Sequence, residues 1–223
     1  MLHKTRGIVF RFTKYGDTSI IVNIFTEVFG LQSFIVNSVR TASAKGNKIA
    51  LYQPLTLLDL VVYHRENANI NRIKEVKCIH PYHTLPIDVR KSTIAMFIAE
   101  VVNKSVKEQS HAGAIFDFLF NSLMALDMVE EGVENFHLLF LLQLSRYLGF
   151  GAYKAVEVVG GRGASPETEM LIDQLLASNF TNMPRLTRLQ RSTMLDLLVK
   201  FYADHIDSFG DMKSVPVLSE VLG

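Results

Sequence analysis

The feature that most constrains this chain is a set of five short segments, all within its first 80 residues, in which apolar and polar residues alternate. They run from Thr5 to Thr13, Thr18 to Glu27, Leu31 to Arg40, Leu55 to His64 and Ile70 to Ile79. A period of two marks strands with one buried face. In the first segment Ile8, Phe10 and Phe12 set the apolar side. Tyr15-Gly16-Asp17 supplies a turn, and Phe29-Gly30 makes a tight hairpin of the second and third strands. Five short strands must close on themselves to bury their apolar faces and hide their edges. A small five-stranded barrel of the oligonucleotide-binding (OB) type satisfies the count, and so does a small SH3-like barrel.

The pattern changes between Ile79 and Leu85, where His80-Pro81-Tyr82 and Pro86 interrupt regular structure. Beyond it the apolar residues take helical spacing. Expected helices cover Pro86 to about Lys107, Ala114 to about Met128, and Glu134 to Leu148, the last apolar nearly all round. Ser165-Pro166-Glu167 reads as a helix start, and Thr187 to Gln190 as a capping box for a helix reaching about Asp207. A short helix from Ser214 to Leu222 ends the chain. The expected class is α+β, with an OB-type barrel over residues 1–80 and an all-helical domain over 81–223.

Charge divides at the same place. The formal net charge is only +1, which excludes a uniformly basic nucleic-acid-coating protein. Residues 1–80 nevertheless carry 11 Lys/Arg against 5 Asp/Glu, and residues 81–223 carry 12 against 17. The single Cys excludes an internal disulfide and a Cys-based zinc ribbon. The start lacks the apolar core of a secretory signal, and the longest charge-free stretch, Phe136 to Ser145, is too short to span a bilayer. A cytoplasmic protein without a membrane segment is expected.

Catalytic chemistry is not evident. Cys78, His80 and His83 form the densest group of potential ligands, at a spacing that matches no standard zinc pattern. Gly160-Gly161-Arg162-Gly163 has the glycines of a phosphate loop but no Gly-Lys-Ser/Thr ending, so a helix-to-helix linker is expected. Glu130, Glu131 and Glu134 read as acids opposing a helix dipole. No cofactor, no metal and no enzymatic activity are expected. The basic barrel stands out instead. Arg6, Arg11, Lys14, Arg40, Lys45 and Lys48 lie around Tyr15, and phosphates need cations while unstacked bases need flat aromatic surfaces. These seven residues are the candidate DNA-binding set.

The ordered set Lys4-Thr5-Arg6-Gly7-Ile8-Val9, Lys14-Tyr15-Gly16-Asp17-Thr18-Ser19, Phe25-Thr26-Glu27, Gly30 and Val39-Arg40 resembles the start of the RecO family of recombination mediators. Gln53-Pro54, Leu58-Asp59-Leu60, Leu148-Gly149-Phe150 and Met212-Lys213-Ser214 continue the resemblance along the chain. It implies a DNA repair protein with an OB barrel followed by a helical domain. It also implies binding and annealing of single-stranded DNA, and contact with RecR and with the acidic C-terminal tail of single-strand DNA-binding protein. The result would be delivery of RecA onto coated DNA. Many family members carry a four-Cys zinc module after the central helix. This chain has no Cys beyond Gly149, so its Gly151 to Ser165 segment is expected to be a short metal-free loop.

For the acidic tail, Arg185, Arg188 and Arg191 at the expected helix start offer guanidinium groups beside free backbone N–H groups, and Arg146 is the rival anchor. Two other classes compete with the mediator. One is a protein-only adaptor docking partners on barrel and helices, which salt-sensitive oligonucleotide binding would exclude. The other is a small enzyme, which a deep pocket of ionisable groups would favour.

Overall fold

The computed structural model describes residues 1–39, 48–65, 68–107, 112–207 and 209–222. Its strands are β1 (Leu2–Tyr15), β2 (Ser19–Thr26), β3 (Gly30–Val36), β4 (Leu57–Tyr63) and β5 (Asn71–Cys78), closed as a barrel in the order β1-β2-β3-β5-β4. The first half of β1 pairs antiparallel with β4, from Leu2↔Tyr63 to Ile8↔Leu57. Its second half pairs antiparallel with β2, from Gly7↔Thr26 to Tyr15↔Ser19. β3 meets β5 in parallel at Phe34↔Asn71 and Ile35↔Arg72, which closes the cylinder. This is the Greek-key closure of an OB-type barrel, as expected.

β1 runs longer than the alternation in its sequence suggests, because it carries a bulge between Val9 and Arg11. Before the bulge odd-numbered residues face inward. A Cβ on Gly7 would lie 2.6 Å from Ile24 and 2.7 Å from Leu60, both core residues, so only glycine fits there. Val9 belongs to the interior cluster with Ile24, Phe34, Leu58, Leu60 and Val62. After the bulge Phe12 packs against that cluster. The expectation that Ile8, Phe10 and Phe12 share one face is therefore corrected. Ile8 and Phe10 are fully buried but lie outside the interior cluster, with Phe10 stacked on Phe25 at 5.5 Å. An extra residue in one strand shifts every later side chain to the opposite face. Leu55 holds the bulge in place. Its N–H donates to Val9 O at 2.7 Å, and it pays for this with a left-handed φ of 66°.

The β2–β3 hairpin forms as expected. Thr26 Oγ1 donates to Gly30 O and accepts from Phe29 N, while Gly30 takes φ 63°, which a side chain would strain. A 3₁₀ turn at Lys48–Tyr52 follows the third strand and buries Tyr52 in the barrel core.

The helices are α1 (Val89–Ser105), α2 (Ala112–Met128), α3 (Phe136–Tyr147), α4 (Ala155–Val159), α5 (Pro166–Leu176), α6 (Arg188–His205) and α7 (Ser214–Leu222). The chain forms two compact units. One joins Met1–Tyr82 to Val106–Phe120, and the other joins His83–Ser105 to Asn121–Gly223. Ser165 caps α5 by accepting from Thr168 N, and the Thr187/Gln190 capping box opens α6, both as the sequence indicates. Three details differ. α1 begins at Val89 rather than Pro86, because the Asp88 carboxylate accepts from the Arg90 and Lys91 amides and acts as its cap. α3 begins at Phe136 after a 3₁₀ turn at Val133–Asn135. The segment expected as a plain loop between Gly151 and Ser165 contains α4, with Glu157 accepting from the Tyr153 and Lys154 amides at its start.

In the second unit the Asp127 carboxylate accepts from three successive backbone amides, His83, Thr84 and Leu85. The buried Lys91 ammonium donates to Thr84 Oγ1 and to Asp127 O, each at 2.7 Å. A buried charge is tolerable only when so fully bonded. Among the described residues no helix is long and apolar enough to cross a membrane.

Candidate nucleic-acid interface

The bulge in β1 decides where its cations point. Arg6 precedes it and sits on the outer face beside α2. Its Nε and Nη2 donate to the Glu27 carboxylate at 2.9 and 2.7 Å, and Nη2 also reaches Asp117 at 3.0 Å. The guanidinium carbon stands 4.9 Å from the Phe116 ring centre and 5.2 Å from that of Phe120. Two carboxylates and two aromatic faces thus engage it. Glu27's hydrogen bonds push the Arg6 pKa up, and they in turn hold the Glu27 carboxyl below its ordinary range. Lys4, on the same side, pairs with Asp59 at 3.5 Å.

Arg11 follows the bulge and is exposed, as are Thr13, Lys14 and Tyr15 where the strand outruns the core. Cross-strand register continues this surface. Arg11 lies opposite Asn23 and then Ser33, while Thr13 lies opposite Ile21, then Ile35, then Arg72 on β5. The result is a surface across β1, β2, β3 and β5 with half-buried Ile21 and Ile35 at its centre and Arg11 and Arg72 beside them, while Lys14, opposite the core residue Ile20, is exposed on the other side of β1 at the barrel's end. Tyr15 is 53% exposed. Lys48 is exposed at the start of the 3₁₀ turn. Among the described residues Arg11, Lys14, Lys48 and Arg72 make no ion pair, so their charge is open to an outside partner. Arg40 and Lys45 of the candidate set lie outside the described residues.

Sequence reasoning located β5 but left its cations out of the candidate set. Arg72 and Lys77 are exposed on it, and the spacing in Asn71-Arg-Ile-Lys-Glu-Val-Lys77 was the available signal.

The candidate partner-binding arginines separate into two places. Arg146, at the end of α3, donates to Leu176 O at 3.2 Å and sits over the exposed Tyr153 ring at 5.9 Å. It lines a groove with Gln143 and Tyr147. Arg185 and Arg188 are exposed beside the start of α6. Arg191 is a clamp instead, donating to Asn135 Oδ1, Leu186 O and Leu222 O. Burial lowers its pKa. Among the described residues no group of three or more His, Cys, Asp or Glu side chains is placed to hold a metal ion. Cys78 is a half-buried free thiol, and the His80 ring stands edge-on to Tyr82 at 5.9 Å.

Comparison with known proteins bears on this geometry. Residues 1–82 match the model for the Recombination protein O N terminal family, and residues 87–162 match that for Recombination protein O C terminal. The chain is 35% identical over 240 residues to the DNA repair protein RecO of Phocaeicola vulgatus, covering 99% of both chains. The chain belongs to the RecO family. The DNA repair protein RecO of Flavobacterium psychrophilum is 34% identical, with 98% of both chains covered, and that of Bacteroides fragilis is 33% identical, with 99% of both covered. RecO relatives of full matching length therefore share both the barrel-bearing segment and the helical one.

The Arg6 cluster makes a testable prediction about this RecO-family barrel. Arg6→Ala removes a bidentate ion pair and two ring contacts, so urea unfolding should show a loss of about 1–2 kcal/mol at neutral pH. Glu27's folded pKa is depressed, so its contribution is present above the unfolded carboxylate pKa and is lost as pH falls through the folded value. The difference between wild type and Arg6→Ala should therefore shrink below about pH 4. A difference independent of pH between 7 and 3 would show that the pair contributes nothing.

Proposed function

We propose that this RecO-family chain is a non-catalytic DNA repair mediator that binds and anneals single-stranded DNA on the outer face of its barrel. It then helps load RecA onto DNA coated by single-strand DNA-binding protein. The observation that carries the reading is a set of cations, Arg11, Lys14, Lys48 and Arg72, that make no ion pair among the described residues, together with the exposed Tyr15 ring. Such cations attract phosphates without regard to sequence, and an aromatic ring stacks any base. Neutralising the backbone also lowers the repulsion between two strands, which is what annealing requires. Residues 1–80 serve the nucleic acid and residues 81–223 the protein partners, RecR and the acidic tail of single-strand DNA-binding protein. Arg40 and Lys45, outside the described residues, add to the positive charge of this segment of the sequence. Arg6 contributes to the barrel's stability rather than to phosphate binding.

The test is fluorescence anisotropy of a labelled oligothymidylate at several salt concentrations. In Arg11→Gln/Lys14→Gln/Arg72→Gln the slope of log K against log salt should fall by about 2, since each single-strand phosphate contact contributes about 0.7. Tyr15→Ala should weaken binding about tenfold, in the range for one stacked base. Wild-type affinity and slope in the folded triple variant would overturn the barrel-face reading and favour the adaptor.

For the acidic tail, Arg146 is the better anchor of the two candidate places. Exposed Tyr147 and Tyr153 lie near it, whereas three internal hydrogen bonds occupy Arg191. Titration with a peptide of that tail should lose about 1.5–3 kcal/mol in Arg146→Ala, the range for hydrogen bonds to charged groups. Loss only in Arg185→Ala/Arg188→Ala would move the site to the start of α6.

A further inference from the structure

α3 is built almost wholly of Leu and Phe, yet its second residue is His137. The ring is 1% exposed, and among the described residues neither Nδ1 nor Nε2 has a hydrogen-bond partner. Native proteins rarely leave buried polar atoms unpaired, and an exception calls for an explanation such as an absent ligand. His137 lines a cavity of about 100 Å³ in the second unit. A water needs about 10–15 Å³ in such a volume, so there is room for a ligand of roughly seven to ten heavy atoms.

The walls specify its chemistry. One side is polar and cationic, formed by Arg188, Arg191, Ser192 and Ser219. Among the described residues no carboxylate lines the cavity. Arg191 is fixed by its bonds to Asn135, Leu186 and Leu222, so that wall is preformed. Arg188, at the first position of α6, makes no hydrogen bond or ion pair among the described residues and is free to turn to a ligand. The 18-residue helix it begins adds partial positive charge. The other side is apolar, formed by Leu195, Leu218 and Leu222. A bare phosphate would leave the leucines unused, and a neutral apolar ligand would leave the guanidinium groups and the imidazole unused.

We infer that this cavity binds a small carboxylate bearing a short branched apolar chain. The carboxylate takes hydrogen bonds from Arg188 and the His137 ring, and the chain packs on Leu195, Leu218 and Leu222. Burial pushes the His137 pKa down to about 3, so at neutral pH the imidazole supplies an N–H donor rather than a charge. Such a carboxylate can come as a free acid or as the last residue of a polypeptide. The site is distinct from the Arg146 groove. His137 and Arg146 are nine residues apart on α3, roughly 14 Å along a helix. Nothing in the inference depends on DNA binding.

The test is titration of the full chain by calorimetry, with the His137 ring resonances followed by NMR. The probes are 4-methylpentanoate, N-acetylleucine, 4-methylpentanamide and inorganic phosphate. Saturable binding of at least one acid is expected, with a shift of the His137 ring signals and at least tenfold weaker binding of the amide. Arg188→Gln, an exposed position, should keep the wild-type melting temperature and lose at least tenfold in affinity. Tighter 4-methylpentanoate supports the site with a free acid as ligand, and tighter N-acetylleucine supports it with a chain end. No saturable binding of either acid overturns the inference. So does unchanged affinity in Arg188→Gln, or phosphate binding as tightly as the acids.

Discussion

Everything in the barrel follows from β1 being shared between two partners. A strand of 14 residues pairs with β4 along its first half and with β2 along its second, and it can do so only by bending at the bulge between Val9 and Arg11. The bulge removes the open edge that five short strands would otherwise expose. It also reverses which side chains face out. Before it, Arg6 points to Glu27 and α2, and becomes part of the barrel's own framework. After it, Arg11 and Tyr15 face away from the core, and among the described residues the cation has no partner. Two arginines five positions apart thus take different roles, and the backbone between them decides which.

Closure has a second consequence. β5 reaches β3 only through the short parallel contact at Phe34↔Asn71 and Ile35↔Arg72. That contact brings a cation from the far end of the barrel sequence beside Ile35 and, through Ile21, into line with β1. The basic surface is therefore assembled from segments some 60 residues apart, and no local window of the sequence contains it. The chain's relatives are named as DNA repair proteins, and this is the surface on which we propose that a single strand binds.

Much of the fold was legible in the sequence because its signals are local. Alternation located five strands, Phe29-Gly30 gave the hairpin, and Ser165 and Thr187 marked helix starts by the side-chain bonds they make. What was not legible is what depends on tertiary closure. Ile8, Phe10 and Phe12 look like one face, and only the bulge shows that they are not. Arg6 and Arg11 look alike until Glu27 and Asp117 are seen around the first. Arg191 looked like a free anion ligand, but its partners Asn135 and Leu222 lie far away in sequence. His137 disappeared into an apolar run, since one polar residue barely alters the pattern of a buried helix.

The central claim is that the strand-bearing surface is the part of the barrel beyond the bulge. Hydrogen–deuterium exchange of the full chain, with and without a saturating oligothymidylate, tests it directly. Protection is expected at Arg11 to Tyr15, Ile21 to Asn23, Ser33 to Ile35 and Arg72 to Lys77, with little change around Arg6 and α2. Protection confined to the helices, or centred on Arg6 and α2, would contradict the account.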